Sequence, residues 1–382
     1  MTSRERVLAA VDLREPDAVP LSIASTSNDC FTKLALRKYA RHIGLGPYEE
    51  VVTWQTVQTV ITPEELLQKY HADFRTVRFK TPDNPPRVEV NPDGSFRDAL
   101  GVLLVPTDYY YDAMDRPLAG PLSMDDIARF KFPATDDPGL TRGLRAEVQD
   151  LLTRTDYALV VDYIALGPFE GALWIRGWED FLCDLHDSPK LAEALMDKVT
   201  EYAMSAWGVM LDAVGDLVHV LCLNDDLGMQ DRSLISPEIY RKLVKKYTKR
   251  WYSFIRTKTR AKILHHSCGS VHELLPDLID CGVQILNPLQ VTAKNMEPER
   301  LKKDFGDSLA FWGGLDTQRL LAFGTPAEVA DGVRRLIEVF GEGGGYVFAP
   351  SHNIQPTVTV ENMEAMFEAA VKHRADFPRR HA

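Results

Sequence analysis

The sequence predicts a (β/α)8 TIM barrel, an α/β fold, with an N-terminal helical segment and a β-hairpin insertion. Eight short apolar runs recur along the chain, and most precede a segment whose apolar residues have helical spacing. Strands that are apolar on both faces are typical of a parallel sheet covered by helices, and eight such units favour a closed barrel. An open, doubly wound sheet is the alternative, but no Gly-x-Gly-x-x-Gly motif follows the first strand. We therefore expect residues 1–382 to form one barrel domain.

The first part of the chain is the least regular. We expect a helix over residues 3–13, a first strand over 19–24, a helix over 31–43 and a second strand over 73–79. Residues 48–61 show no clear pattern.

Residues 81–119 have a different texture. Prolines and short β-rich pieces surround a turn at Pro92, Asp93 and Gly94, which indicates a hairpin-bearing insertion. Tyr110 lies in a run of tyrosines here, which either line a pocket or form one face of a small sheet.

From residue 122 onward, strands and helices alternate regularly. Strands are expected to begin near residues 158, 217, 261, 283, 309 and 345. Helices are expected over 141–153, 178–185, 189–214, 236–257, 297–304, 326–340 and 360–373.

Composition excludes several classes of protein. The net charge is −11 and no basic stripe is visible, so nucleic acid is not an expected partner. No apolar run approaches the ~20 residues of a membrane span. The N-terminus is charged and lacks an apolar signal core, so we expect a cytoplasmic protein. Five scattered cysteines argue against a disulfide framework.

In such a barrel, chemistry is expected at the C-terminal ends of the strands. Polar residues collect at these ends, over 25–29, 167–170, 224–226, 265–268, 287–290, 312–316 and 351–355. His266 and Cys268 are two residues apart and point to one face of an extended strand. Together with His352 at the last strand end, they form a candidate zinc site with N, S and N ligands and an open fourth position.

Other strand-end residues are candidates for catalysis or substrate binding. Asp226 is a candidate proton acceptor or fourth ligand, and Asp225 either binds substrate or caps a loop. His265 should face away from His266 and pack. Further candidate substrate-binding residues are Asn287, Gln290, Trp312, Arg176 and Tyr110.

The runs at 266–270, 285–290, 311–317 and 350–356 resemble the uroporphyrinogen decarboxylase superfamily. Segments 167–169, 176–182 and 224–228 are similar to it too, and the likeness is strongest from about residue 160 onward. The resemblance implies a barrel enzyme with one of two chemistries.

The two branches of this superfamily differ in their motifs. Its decarboxylases need no metal and hold substrate carboxylates with an N-terminal Arg-Gln-Ala-Gly-Arg motif, whereas the equivalent residues 25–30 contain no arginine. Its zinc-dependent methyltransferases carry His-x-Cys and a distant Cys. His266 and Cys268 match the first two ligands, and the third position falls on His352.

The resemblance therefore implies a zinc-dependent methyltransferase. It would move a methyl group between a small ether, amine or thiol and a corrinoid (cobalamin) carried by a partner protein. No Asp-x-His-x-x-Gly motif is present, so the corrinoid is expected on a separate chain. The alternatives are a metal-free decarboxylase of a polycarboxylate and a non-catalytic barrel. The sequence leaves open whether the chain works as a monomer or a homodimer.

Overall fold

A computed structural model describes residues 1–378. The strands are β1 Val52–Trp54, β2 Thr59–Val60, β3 Phe74–Val77, β4 Phe96–Arg97, β5 Leu103–Pro106, β6 Tyr111–Asp115, β7 Ala158–Val161, β8 Val220–Asn224, β9 Lys262–His266, β10 Ile285–Asn287, β11 Ala310–Trp312 and β12 Tyr346–Val347.

The α-helices alternate with the parallel strands and cover the sheet. They are α1 Ser3–Val11, α2 Lys33–His42, α3 Glu64–Lys69, α4 Met124–Arg129, α5 Leu144–Arg154, α6 Pro168–Arg176, α7 Trp178–Asp187, α8 Pro189–Val214, α9 Pro237–Ile239, α10 Lys245–Lys258, α11 Leu275–Cys281, α12 Pro298–Phe305, α13 Leu320–Phe323, α14 Pro326–Gly341 and α15 Val360–His373. Among the described helices, none has the length and apolarity needed to cross a bilayer.

Seven strands form one parallel sheet in the order β12-β11-β10-β9-β8-β7-β3. The eighth position is filled by the segment around Leu21, which bridges Phe348 in parallel and accepts a backbone hydrogen bond from Asp73. The predicted first strand is therefore present as a single bridge. It is short because Pro20 has no N–H to donate and Ala24 turns away with a φ of +51°. The (β/α)8 prediction is confirmed.

One buried carboxylate ties the closure of the barrel together. Asp73 accepts hydrogen bonds from the backbone N–H of Leu21 at 2.8 Å and from Nη1 of Arg6 at 2.9 Å. Arg374, just beyond α15, donates to Oδ2, the oxygen that also accepts the Leu21 N–H. Asp73 thus joins α1, the first bridge strand, β3 and the C-terminal end of α15.

The barrel interior is apolar up to its mouth. Val7 and Val11 of α1 close the N-terminal end, and Phe74 packs on Trp312 with ring centroids 4.5 Å apart. Nε1 of Trp312 donates to Asp29 at 3.2 Å. The Trp312 side chain is therefore part of the interior packing.

The insertion is present as the antiparallel sheet β4-β5-β6. The unassigned block 48–61 contributes the small pair β1-β2. The sequence reading missed α6, because Gly167 and Pro168 look like a loop after a strand, although glycine followed by proline also begins a helix. The expected helix 236–257 is interrupted by a π-helical turn over Tyr240–Val244.

Candidate metal centre

Strand β9 carries two neighbouring histidines to opposite sides of the sheet. His265 points toward the helices, where its Nδ1 lies 2.6 Å from the hydroxyl of Tyr252. His266 points to the barrel mouth, with its Nε2 3.6 Å from Sγ of Cys268. This alternation follows from the two-residue repeat of an extended strand.

His352 completes a group of three. It follows β12, which lies three strands away from β9 in the sheet, and its ring centroid is 5.7 Å from that of His266. One ligand atom from each of His266, Cys268 and His352 lies within 4.8 Å of the others. His266 and His352 are 86 positions apart in sequence. They meet because His266 ends one barrel strand, His352 follows another, and both strands end at the same mouth.

Hydrogen bonds hold both imidazoles in place. Nδ1 of His266 donates to Oδ1 of Asn287 at 2.6 Å, and Nδ2 of Asn287 donates to the carbonyl of Trp312 at 3.2 Å. This arrangement keeps the proton on Nδ1 and turns the Nε2 lone pair of His266 toward the cluster. Nδ1 of His352 accepts the backbone N–H of Asn353 at 2.9 Å, which places the proton of this neutral ring on Nε2. Metal binding through Nε2 would therefore move that proton to Nδ1 and break this hydrogen bond.

The protonation of the three groups suits a cation. Burial lowers the pKa of His266 to about 4 and the pKa of His352 to about 4, so both rings are neutral at pH 7. Burial raises the pKa of the Cys268 thiol well above its usual value, and the negative charges of Asp226 and Glu170 add to this. A bound divalent cation would reverse that shift, because a coordinating thiol is deprotonated by the ion. The donor set therefore fits zinc.

Two carboxyl groups, those of Asp226 and Glu170, lie beside the cluster. Oδ1 of Asp226 accepts the backbone N–H of Cys268 at 2.8 Å and lies 4.0 Å from Nε2 of His266. Oε2 of Glu170 accepts the backbone N–H of Asp226 at 3.1 Å. Burial raises the pKa of Asp226 and of Glu170, and for Glu170 the charges of Asp226 and Asp225 raise it further.

Asp225 has a structural partner that the sequence did not indicate. Its Oδ1 accepts the backbone N–H groups of Phe169 at 3.0 Å and of Glu170 at 2.7 Å, at the start of α6. The residue is fully buried, and burial raises its pKa to about 7 although these N–H groups oppose the shift. Asp225 thus caps the helix that presents Glu170.

Glu170 is the site residue that sequence reasoning passed over. It lies within the polar strand end 167–170, yet no role was assigned to it. A usable signal was present, since an acidic residue two positions after a helix-opening proline occupies the third position of the helix, where capping glutamates occur.

Of the other predicted site residues, the structure brings Asn287 and Gln290 to the cluster. Oε1 of Gln290 accepts the backbone N–H of Gly269 at 2.8 Å. Gln290 also lines a polar cavity of about 310 Å³ that opens onto Cys268 and His352. These residues orient the cluster and its surroundings.

The structure does not bring Arg176, Tyr110 or Trp312 to the cluster. Arg176 ends α6, about 9 Å along the helix from Glu170. Its guanidinium is buried on Asp184 at 2.8 Å and on Asp180 at 3.1 Å. Tyr110 lies in the turn between β5 and β6 of the insertion, and Trp312 packs inside the barrel. The contacts of Arg176 and Trp312 are therefore those of residues that stabilise the fold.

Two glycines let the loops of the site touch backbone to backbone. Gly269 has a φ of +81°, and a Cβ there would lie 2.6 Å from the carbonyl carbon of Gly228 and from the carbonyl oxygen of Met229. A Cβ on Gly228 would lie 2.3 Å from the carbonyl oxygen of Cys268. This close approach holds the Cys268 loop against the loop that follows Asp226.

We expect Gly269→Ala to lower the free energy of unfolding by more than backbone strain alone predicts. Gly44→Ala is the matched control, since Gly44 has a φ of +65° and no atom lies within 4 Å of its ideal Cβ. The control should lower the free energy of unfolding by about 1–2 kcal/mol, because alanine is strained in the left-handed conformation. Gly269→Ala should cost a further ~1–3 kcal/mol from the steric clash. Urea denaturation measures both, and equal losses would contradict the close packing.

The chain is similar to known proteins in sequence and in fold. The family model described as Uroporphyrinogen decarboxylase (URO-D) matches residues 117–373. The methylcobamide:CoM methyltransferase MtaA of Methanosarcina barkeri is 28% identical over 185 residues, which are 48% of this chain and 50% of that protein. A uroporphyrinogen decarboxylase of Coxiella burnetii is 24% identical over 284 residues, which are 70% of this chain and 74% of that one.

One solved structure is similar over nearly the entire chain. A methyltransferase from Methanosarcina mazei superposes with a TM-score of 0.66 at 17% identity, covering 97% of this chain and 99% of that one. At this identity, the likeness supports the fold. The match to the MtaA relative spans half of that protein's length.

Proposed function

Because the chain belongs to the uroporphyrinogen decarboxylase family, we propose that it is a methyltransferase member of that family and depends on zinc. It moves a methyl group between a small ether, amine or thiol and a corrinoid carried by a partner protein. The observation that carries the proposal is the meeting of His266, Cys268 and His352, whose ligand atoms lie within 4.8 Å of one another. The similarity to a methylcobamide:CoM methyltransferase supports it.

His266, Cys268 and His352 would hold the ion and leave a fourth position open for the substrate heteroatom. When bound, zinc supplies Lewis-acid chemistry, which stabilises negative charge on an oxygen, nitrogen or sulfur atom. The third ligand is a histidine where the family's methyltransferase motif has cysteine. With one thiolate fewer, the three ligands carry less negative charge and leave the ion a stronger Lewis acid.

The chain's own residues orient the ligands and handle protons. Asn287 holds the His266 ring in the tautomer that presents Nε2. The Asp226 carboxylate accepts the backbone N–H of Cys268 and so holds the Cys268 loop. It is also the candidate group that takes or returns a proton at the substrate heteroatom. The Glu170 carboxylate lies next to Asp226 and accepts its backbone N–H.

The surroundings of the cluster favour this reading over a decarboxylase of a polycarboxylate. The carboxyl groups of Asp226 and Glu170 lie beside it, and they offer no positive charge to pair with the carboxylates of such a substrate. The stretch 25–30 is buried and contains no arginine. The decarboxylase relatives keep this second function a testable alternative.

The test is methyl transfer by the purified, zinc-loaded chain. We expect cob(I)alamin, used in place of the partner's corrinoid, to be methylated by at least one methyl ether or methylamine, or methylcobalamin to methylate a thiol. The cobalt absorption spectrum reports both directions. Carbon dioxide release from uroporphyrinogen by metal-free chain, with no methyl transfer in either direction, would establish the alternative instead.

A further inference from the structure

A second cavity, of about 320 Å³, lies between the barrel mouth and the insertion. Residues 163–166 and α6 line it from the barrel side, and residues 96–104 line it from the insertion. Five aromatic side chains contribute to its wall, namely Trp54, Phe96, Tyr163, Trp174 and Tyr202. Leucine, isoleucine and alanine side chains supply much of the remaining wall. This lining is typical of a pocket for an apolar, flat ligand.

The aromatic cavity borders the metal cluster through one side chain. Glu170 lines the cavity and also accepts the backbone N–H of Asp226 at 3.1 Å. Asp226 in turn accepts the backbone N–H of Cys268. The aromatic cavity and the metal cluster therefore meet at Glu170 and Asp226.

The charge of the lining narrows the ligand class. Among the described residues that line this cavity there is no lysine, arginine or histidine. Its acids are Glu170 and Asp98, and Asp98 already accepts hydrogen bonds from Nε1 of Trp174 and from the backbone N–H groups of Leu100 and Val102. An anionic ring would meet carboxylates and no cation, so an anionic ligand is disfavoured.

The cavity that opens directly onto the cluster is different. Its lining is largely amide and hydroxyl side chains, including Gln290, Thr292, Gln318 and Gln355. The aromatic cavity, in contrast, offers an aryl group ring faces and edges on which to pack. The aromatic cavity is therefore the better match for an aryl group.

We propose that the aromatic cavity binds the ring of an uncharged methoxyarene, with the methoxy group directed past Glu170 toward the metal cluster. This inference rests on the proposed methyltransferase function and names its substrate class. In the demethylating direction, the methyl–oxygen bond breaks and its electron pair stays on the oxygen. The methyl group passes to the Co(I) corrinoid of the partner, and the phenolate takes up one proton from solvent water to leave as a phenol.

The experiment is equilibrium binding by calorimetry, with 2-methoxyphenol as the probe and without any corrinoid. We expect 2-methoxyphenol to bind at least about 10-fold more tightly than 4-methoxybenzoate, tetramethylammonium or 1,2-dimethoxyethane, a difference of about 1.4 kcal/mol. Preferential binding of tetramethylammonium would overturn the proposal in favour of a cationic donor. Equal, weak binding of all four would overturn it outright.

A cavity-filling variant tests the location. Ala99 lines the cavity and its side chain is exposed, so Ala99→Trp should be tolerated and should weaken 2-methoxyphenol binding at least about 10-fold. Ala128→Trp, at an exposed position that does not line the cavity, should leave binding unchanged. Zinc content should be unchanged in both variants. Undiminished binding in Ala99→Trp would place the ring elsewhere.

The outcomes separate this inference from the proposed function. Methyl transfer from a methylamine, or to a thiol, without any binding of 2-methoxyphenol would overturn the methoxyarene assignment alone. Binding of 2-methoxyphenol that Ala99→Trp removes, with no methyl transfer from any donor, would overturn the proposed function and leave an aryl-binding cavity.

Discussion

Cys268→Ala should purify with less than about a tenth of the zinc of the unaltered chain, which we expect to hold about one ion. The substitution removes the single sulfur ligand of the cluster, whose Sγ lies 3.6 Å from Nε2 of His266. Two neutral imidazoles then remain, and the site loses the one ligand that can bring negative charge to the ion. Elemental analysis after dialysis measures the effect.

The matched control for this variant is Cys183→Ala. Cys183 is an exposed cysteine of α7 and has no part in the cluster, so its loss should leave the zinc content unchanged. His352→Ala should lose zinc as Cys268→Ala does. Asn287→Ala should weaken zinc binding by about 10–100-fold, as expected for a residue that only orients a ligand. Full zinc retention in both Cys268→Ala and His352→Ala would disprove the site.

Asp73→Ala should lower the free energy of unfolding by about 3–5 kcal/mol, because two buried or partly buried guanidinium groups lose their shared carboxylate. Asp73 is fully buried and contacts Arg6, Arg374 and the backbone of Leu21. The effect should be structural, since these residues lie far along the strand from the mouth. Chemical denaturation monitored by circular dichroism measures it.

Asp216→Ala provides the comparison for an exposed ion pair. Asp216 pairs with Arg145 at 2.7 Å, and the two side chains are 62% and 46% exposed. Its loss should cost less than about 1 kcal/mol. Similar costs for the two variants would show that Asp73 does not hold the barrel closed. The folded Asp73→Ala variant should keep the zinc content of the unaltered chain.

The fold was accessible from the sequence because buried parallel strands leave a strong local signal. Each strand is a short run that is apolar on both faces, so the positions of all eight could be located. The failures fall where local signals conflict. Gly167 and Pro168 begin α6 although they resemble a loop, and the π-helical turn at Tyr240–Val244 leaves the apolar spacing of a single helix nearly intact.

The residues of the candidate site also differ in how well the sequence predicts their roles. His266 and Cys268 are neighbours in sequence, and His352 follows a recognisable strand, so strand periodicity and barrel topology suffice to nominate them. Arg176 shows the opposite case. It lies in a segment that resembles the family, yet its guanidinium is committed to Asp180 and Asp184. A sequence motif does not reveal whether a charged side chain is already paired.

The amino-acid pattern predicts the barrel, the mouth at which its polar residues collect, and the three side chains proposed to hold zinc. The folded chain adds that Asp225 caps α6, that Glu170 accepts the backbone N–H of Asp226, and that an aromatic cavity borders Glu170. This division follows from the range of the interactions involved. Strand periodicity is set by residues two apart, whereas hydrogen-bond partners and cavity walls are set by side chains from distant segments that meet only when the barrel closes.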